Sequence, residues 1–283
     1  MSIALGVMVR GNNGKSVQRI KQYAGKGIES FQIHWWKNTG NENISETSKK
    51  IKDILAEEWE TPPLTGLGLY GNPLLKDREG EESRQSIFRL IESAELFGSS
   101  YIGLFTGRIP ETSWERSISE IRKVFGDFCR AAEDNNVRLA FENCPMGGNE
   151  FSGNWNIAFS PEIWERLFNE LSPWAEKVLG LEWEPAHQLL QGREPLETLK
   201  PWASEIIHVH GKDASLESSG FVQRLPGNGS SDWSKIFNIL KNAGYKGSVD
   251  IEGYHDPEWS GEKEIPGHLW SLEYLKECRN MVY

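Results

Sequence analysis

The sequence predicts an α/β chain folded as a single (β/α)8 barrel, and three observations carry that prediction. Eight short apolar runs rich in β-branched residues recur from end to end. Amphipathic, helix-like stretches separate them, which is a βα repeat. The 283 residues suit eight such units, and no composition break or linker marks a second domain, so residues 1–283 read as one domain.

In chain order, the strand candidates are Ile3 to Val9, Ser30 to Trp35, Leu64 to Tyr70, Tyr101 to Thr106, Val137 to Asn143, Val178 to Glu184, Ile206 to His210 and Gly247 to Glu252. Helical patterns run near Lys15 to Gly25, Ile44 to Glu58, Glu81 to Phe97, Ser113 to Asn135, Pro161 to Leu171, Leu196 to Ala203, Asp232 to Ala243 and Glu262 to Arg279. Ser160 and Pro161 supply a capping hydroxyl and a proline at a first helical position, and Asp232 is placed to cap a later helix. Gly244 is the glycine expected where that helix stops. An open doubly wound sheet is the alternative. It is disfavoured because Val9-Arg10-Gly11-Asn12-Asn13-Gly14, after the first strand, does not fit the Gly-x-Gly-x-x-Gly fingerprint. The longest irregular stretches, Pro145 to Ala158 and Ala214 to Ser231, follow the fifth and seventh strands. In a barrel such loops crown the catalytic face, and their length suggests substrate covers.

Composition narrows the function. There are 31 basic against 41 acidic residues, a formal net charge of -10, and no basic run, so a grip on nucleic-acid phosphates is disfavoured and small-molecule chemistry favoured. Met1-Ser2-Ile3-Ala4-Leu5-Gly6 does not resemble a signal peptide, and no apolar run is long enough to span a bilayer. A cytoplasmic location is the expectation. Cys129, Cys144 and Cys278 lack CxxC spacing, which suggests neither a disulfide framework nor a thiolate metal site. Cys144 reads as a small buried filler.

Four strand ends carry acidic or histidine clusters: Phe141-Glu142-Asn143, Glu184-Pro185-Ala186-His187, His208-Val209-His210-Gly211-Lys212-Asp213 and Ile251-Glu252-Gly253. If the strands are parallel neighbours, Glu142, Glu184, His210 and Glu252 converge on one face of the sheet. Three carboxylates and an imidazole form a hard, oxygen-rich set for one divalent metal ion, Mn²⁺ first, with Mg²⁺, Co²⁺ or Zn²⁺ as alternatives. Residues two apart on a strand share a face, so Glu182, His208 and Asp250 lie one layer deeper than Glu184, His210 and Glu252. Charges at that depth need hydrogen bonds to one another or to the outer set. Asp213 joins this supporting group. Lys212 and Asp213 form either an ion pair that holds the loop or, through Lys212, a substrate contact. Arg224 is a candidate for a substrate hydroxyl or phosphate, with a surface arginine as the alternative. Among 12 tryptophans, Trp35 and Trp259 are the expected pocket walls for sugar C–H faces.

The motif string Gly180-Leu181-Glu182-Trp183-Glu184-Pro185-Ala186-His187, Ile207 to Asp213, Leu225-Pro226-Gly227-Asn228-Gly229 with Asp232-Trp233, Gly244 to Gly247 and Ile251-Glu252 resembles the xylose isomerase-like TIM-barrel superfamily. Within it, the chain is similar to the sugar phosphate isomerase/epimerase branch. The likeness is dense from Phe141 to the C-terminus and topological before that. It implies that Glu142, Glu184, His210 and Glu252 bind one divalent metal, that Glu142 and Glu252 also exchange a proton with the substrate carbon, and that His187 contacts substrate oxygens. The implied activity is isomerisation or epimerisation of a ketose-type sugar or sugar phosphate through an enediolate. Reprotonation from the opposite face epimerises, and reprotonation at the neighbouring carbon isomerises.

One departure from the family stands out: Glu184 occupies a position where relatives carry Asp, and its extra methylene leaves Glu182 open as the alternative ligand. An inosose-type polyol dehydratase and a catalytically idle sugar-binding barrel are the competing readings. Endonuclease IV, in the same superfamily, needs further histidines that Gly68-Leu69-Tyr70-Gly71-Asn72 and Phe105-Thr106-Gly107-Arg108 do not supply. Many relatives are dimers or tetramers, which leaves a homo-oligomer open, and no segment identifies an interface.

Overall fold

The computed structural model describes residues 2–11, 15–218 and 220–283; Asn12 to Gly14, in the loop after the first strand, lie outside them. Eight strands close into a barrel: β1 (Ala4–Arg10), β2 (Ser30–Trp36), β3 (Leu64–Tyr70), β4 (Tyr101–Leu104), β5 (Arg138–Glu142), β6 (Leu179–Trp183), β7 (Ile206–Gly211) and β10 (Ser248–Ile251). Every neighbouring pair is parallel, and β10 closes the ring between β7 and β1. Around it lie α1 (Lys15–Lys21), α2 (Ile44–Glu58), α3 (Arg78–Phe97), α4 (Trp114–Asp134), α5 (Pro161–Glu170), α6 (Pro185–Leu190), α7 (Pro195–Trp202), α8 (Trp233–Asn242) and α9 (Glu264–Asn280). Among the described residues no helix is long and apolar enough to cross a membrane.

Strands covered on both faces read as nearly continuous apolar runs, which is why they are visible in the sequence. The outward side chains meet the helices: Phe141 of β5 packs edge-on against Phe125 of α4, which in turn meets Phe128. Burying one such ring contributes about 1.5–3 kcal/mol. The capping chemistry is mixed. Asp232 accepts from the Lys235 amide at 3.0 Å, whereas Ser160 makes no side-chain cap bond, leaving Pro161 to open α5.

Inside the barrel, small residues make room for charged ones. A Cβ on Gly103 of β4 would sit 2.2 Å from a Glu182 carboxylate oxygen, and one on Gly6 of β1 would meet Asp250 at 2.4 Å. These glycines are therefore part of how the interior accommodates acids.

Of the two long loops, one departs from the expected irregular course and the other follows it. Ala214 to Ser231 is regular in its first part, where β8 (Asp213–Glu217) and β9 (Gly220–Arg224) pair as an antiparallel hairpin, and irregular from Leu225 to Ser231. Pro145 to Ala158 has no regular element, but buried polar bonds organise it. The Asn156 amide donates to the carbonyls of Glu142 and Cys144 at 2.8 Å. Arg108, fully buried, donates to the carbonyls of Thr112 and Asn149. The loop is thereby tied to the end of β5.

Candidate active site

Each member of the outer cluster has a local cause for its position. Glu142 ends β5. Glu184 follows β6 and precedes Pro185, which favours extended backbone before it, so Glu184 continues the face of Glu182 (φ −142°, ψ 123°). His210 lies in β7, in register with Asp250 of β10. Glu252 follows β10 and its amide donates to the Gly211 carbonyl at 3.1 Å. The next residue has to be small: a Cβ on Gly253 would lie 2.0 Å from His268 Nε2 of α9.

One ligand atom from each of Glu142, Glu184, His210 and Glu252 falls within 4.8 Å of the other three. His210 Nδ1 is 3.2 Å from Glu142 Oε1, 3.5 Å from Glu184 Oε2 and 3.7 Å from Glu252 Oε2. Lys212 Nζ, also buried, lies 3.0 Å from Glu252 Oε1 and 3.6 Å from Glu184 Oε1. His187 Nε2 is 3.2 Å from Glu184 Oε1. Both carboxylate oxygens of Glu184, Nδ1 of His210 and Oε2 of Glu252 are buried without a hydrogen bond. A divalent cation satisfies such atoms, so the donor set fits a hard metal ion. Glu184 is a member of this four-residue set, and Glu182 falls in a second group with His208 and His210.

The carboxylates differ electrostatically. Burial pushes Glu142 up to about 8 against the pull of His210, and raises Glu184 against the pull of Lys212. Burial acts on Glu252 in the same sense, but Lys212 and His210 outweigh it and hold its carboxyl below the usual range. Lys212 is the reciprocal case, pushed down by burial and held above its usual range by Glu184 and Glu252.

Beneath this tier, Glu182, His208 and Asp250 form a hydrogen-bonded network that Glu182 Oε1, 3.3 Å from His210 Nε2, joins to the upper tier. A register shift in the β6–β7 pairing between Leu181 and Glu182 sets Glu182 opposite His208. His208 Nδ1 is 2.8 Å from Glu182 Oε1 and its Nε2 is 2.8 Å from Asp250 Oδ2. Tyr70 donates to Glu182 Oε2 at 2.8 Å, Gln32 donates to Glu182 Oε1, and Ser30 and Ser248 donate to Asp250. Burial disfavours the His208 imidazolium, yet Asp250 and Glu182 outweigh it and raise its pKa. Gln32 Oε1 and Tyr70 Oη, 3.1 and 3.2 Å from His210 Nε2, connect the two tiers.

The remaining expectations divide. His187 and Lys212 line a cavity of about 690 Å³ at the barrel mouth, together with Glu142 and Glu252. Trp35 does not: it faces the helices, buried, and packs edge-on against Phe97, because side chains alternate along β2. Its neighbour Trp36 shares the face of His34 and lines the cavity. Trp259 borders an adjoining cavity, which shares Arg10 and Tyr254 with the first, and stacks on Trp270. Arg224, on the hairpin, is engaged by Glu217 of the same hairpin and by Asp256 and Glu258 beyond β10, and Gln223 of the hairpin lines the cavity wall. Asp213 is not beneath the cluster and does not pair with Lys212; it accepts from Ser231 and from Trp233 Nε1, bracing the loop after the hairpin. Cys144 is buried as expected but also lines the cavity. Sequence reasoning missed Gln32 and Tyr70, which sit on strands without an acidic end, although parity with His34 offered a signal for Gln32 and Trp36.

The family model described as xylose isomerase-like TIM barrel matches residues 20–278. The uncharacterized protein YfiH of Bacillus subtilis (strain 168) is 25% identical over 294 residues, covering 89% of this chain and 91% of its own length. An inosose dehydratase of Bacillus cereus (strain AH820) is 32% identical over 108 residues, 33% of this chain and 35% of that protein. Among solved structures, a D-tagatose 3-epimerase-like protein superposes with TM-score 0.70 at 19% identity, covering 98% of both chains. A xylose isomerase-like TIM-barrel protein from Mycobacterium smegmatis, in complex with magnesium, gives 0.70 at 12% identity over 99% of this chain and 97% of that one. The barrel and the family match lead to one assignment: this chain belongs to the xylose isomerase-like TIM-barrel family.

Proposed function

We propose that the chain is a divalent-metal-dependent isomerase or epimerase of a ketose-type sugar. The observation that carries the reading is the cluster of Glu142, Glu184, His210 and Glu252, in which both oxygens of Glu184, Nδ1 of His210 and Oε2 of Glu252 are buried without a hydrogen bond beside a sugar-sized cavity. These four side chains would hold the ion, Mn²⁺ by preference; the family neighbour solved with magnesium supports a hard cation. When bound, such an ion supplies positive charge that stabilises a developing oxyanion.

The chain's own residues supply the rest. Glu142 and Glu252 border the cavity from strands separated in the ring by β6 and β7, so they face a bound sugar from different sides. One carboxylate oxygen takes the proton from the carbon next to the carbonyl; the C–H electron pair becomes the C=C bond of an enediolate. The other glutamate, entering the step as the protonated carboxylic acid, gives its proton to the same carbon from the opposite face, which epimerises, or the proton taken by the first is returned to the neighbouring carbon, which isomerises. His187, buried in the cavity wall 3.2 Å from Glu184, would hold a substrate oxygen. Lys212 limits the repulsion between Glu184 and Glu252. The epimerase-like neighbour supports this reading. The Bacillus cereus relative favours a second one, in which the same enolisation ends in loss of a β-hydroxyl as water.

The test is solvent-deuterium incorporation into a panel of ketoses, ketose phosphates and inososes with Mn²⁺-loaded protein. Deuterium at the carbon next to the carbonyl, abolished in Glu142→Gln and Glu252→Gln, is expected. Water loss from an inosose would select the dehydratase, and no exchange with any member would refute both.

A further inference from the structure

The cavity has a second half that the cluster does not use. It is built on the adjoining ends of β10, β1 and β2, by Met8, Arg10, His34, Trp36 and Tyr254. Arg10 ends β1 in register with His34, and its guanidinium lies 4.3 Å from the centroid of the Tyr254 ring. Tyr254 is anchored in turn by donating to the Met8 carbonyl at 3.1 Å. His34 is buried, its ring 5.5 Å from that of Tyr254, and its Nδ1 has no hydrogen-bond partner. The other strong cation in the wall, Lys212, is engaged by Glu252 and Glu184. Among the described residues Arg10 has no ion-pair partner, although the chain carries a net charge of -10.

We propose that Arg10 is the specificity residue for a terminal anionic group, a carboxylate or phosphate, on the sugar whose carbonyl end meets the acidic cluster. This rests on the function proposed above and names its substrate class. A guanidinium stacked on an aromatic face keeps its donors free in a planar fork that matches carboxylate or phosphate oxygens. His34 Nδ1 offers one more polar contact beside it. The acidic cluster and its cation hold the carbonyl end, so Arg10, in the other half of the cavity, fixes the direction in which a charged sugar enters. Neutral ketoses lose that orientation.

The experiment measures calorimetric affinities of Mn²⁺-loaded protein for D-fructose, D-fructose 6-phosphate and D-fructuronate. At least one charged ligand is expected to bind tighter than D-fructose by about tenfold or more, the size of one charge-assisted contact. In Arg10→Met that ratio falls to near one, and Arg10→Lys retains part of it. The better of the two charged ligands identifies phosphate or carboxylate. Charged ligands that bind no better than D-fructose, or a ratio that survives Arg10→Met, overturn the proposal. Deuterium exchange on the same samples separates the two readings: an Arg10-dependent ratio without exchange sinks only the enolisation, and exchange without the ratio sinks only the anion subsite.

Discussion

The two tiers inside the barrel use the same chemistry and end in opposite states. In the lower tier Glu182, His208 and Asp250 answer one another, with Ser30, Gln32, Tyr70 and Ser248 completing the set. In the upper tier, one layer nearer the mouth, Glu184, His210 and Glu252 keep buried atoms without hydrogen bonds. Burial of charge costs several kcal/mol per ion unless partners compensate it. A tier whose polar atoms are hydrogen-bonded is therefore explained by folding alone, whereas one that keeps buried atoms without hydrogen bonds points to a ligand.

Breaking the lower tier gives the largest expected effect. Asp250→Ala leaves His208, Ser30 and Ser248 without their acceptor and is expected to cost about 3–5 kcal/mol in urea unfolding. Glu184→Gln, which relieves like charges in the metal-free protein, is expected to change stability by less than about 1 kcal/mol. Equal losses would erase the distinction between the tiers. Next comes ligand linkage: Mn²⁺ at a hundredfold excess over its Kd is expected to stabilise the wild type by about 2.7 kcal/mol. Thermal unfolding of Glu252→Gln in the same buffer should show that increment lost.

Histidines without a carboxylate partner sharpen the contrast with His208. His268 is buried, with Tyr23 Oη 2.6 Å from its Nδ1, and burial, aided by Arg19, lowers its pKa to about 3. The folded value lies below the unfolded one near 6.5, so its contribution is complete above that pH and is lost as pH falls toward 3. The slope approaches about 1.4 kcal/mol per pH unit, and urea unfolding of His268→Asn between pH 7 and 4 is expected to show a flatter loss. The smallest effect belongs to Trp36, which is 46% exposed at the mouth. Trp36→Ala is expected to shift urea stability by less than about 0.5 kcal/mol while weakening sugar binding.

The barrel was legible because parallel strands buried on both faces leave apolar runs that end where the loops begin. Strand parity carried further, since it depends only on the pleat: it placed Glu182, His208 and Asp250 together before any contact was known. Applied to β2, the same parity selects Trp36 beside His34, not Trp35. Arg224 and Asp213 were beyond reach for another reason. Their directions are set by the β8–β9 hairpin and by Asp256 and Ser231, which are tertiary partners without a period. The short helix α6 was also missed, because six residues are too few for an amphipathic pattern to declare itself. Gln32 and Tyr70 carry no cluster of their own and acquire meaning only when the ring closes.

Calorimetric titration of metal-free protein with Mn²⁺, wild type beside Glu252→Gln, tests the central claim most directly. The account predicts one equivalent bound by the wild type and a large loss of affinity in the variant. No binding to the wild type, or binding unchanged by the substitution, would contradict it.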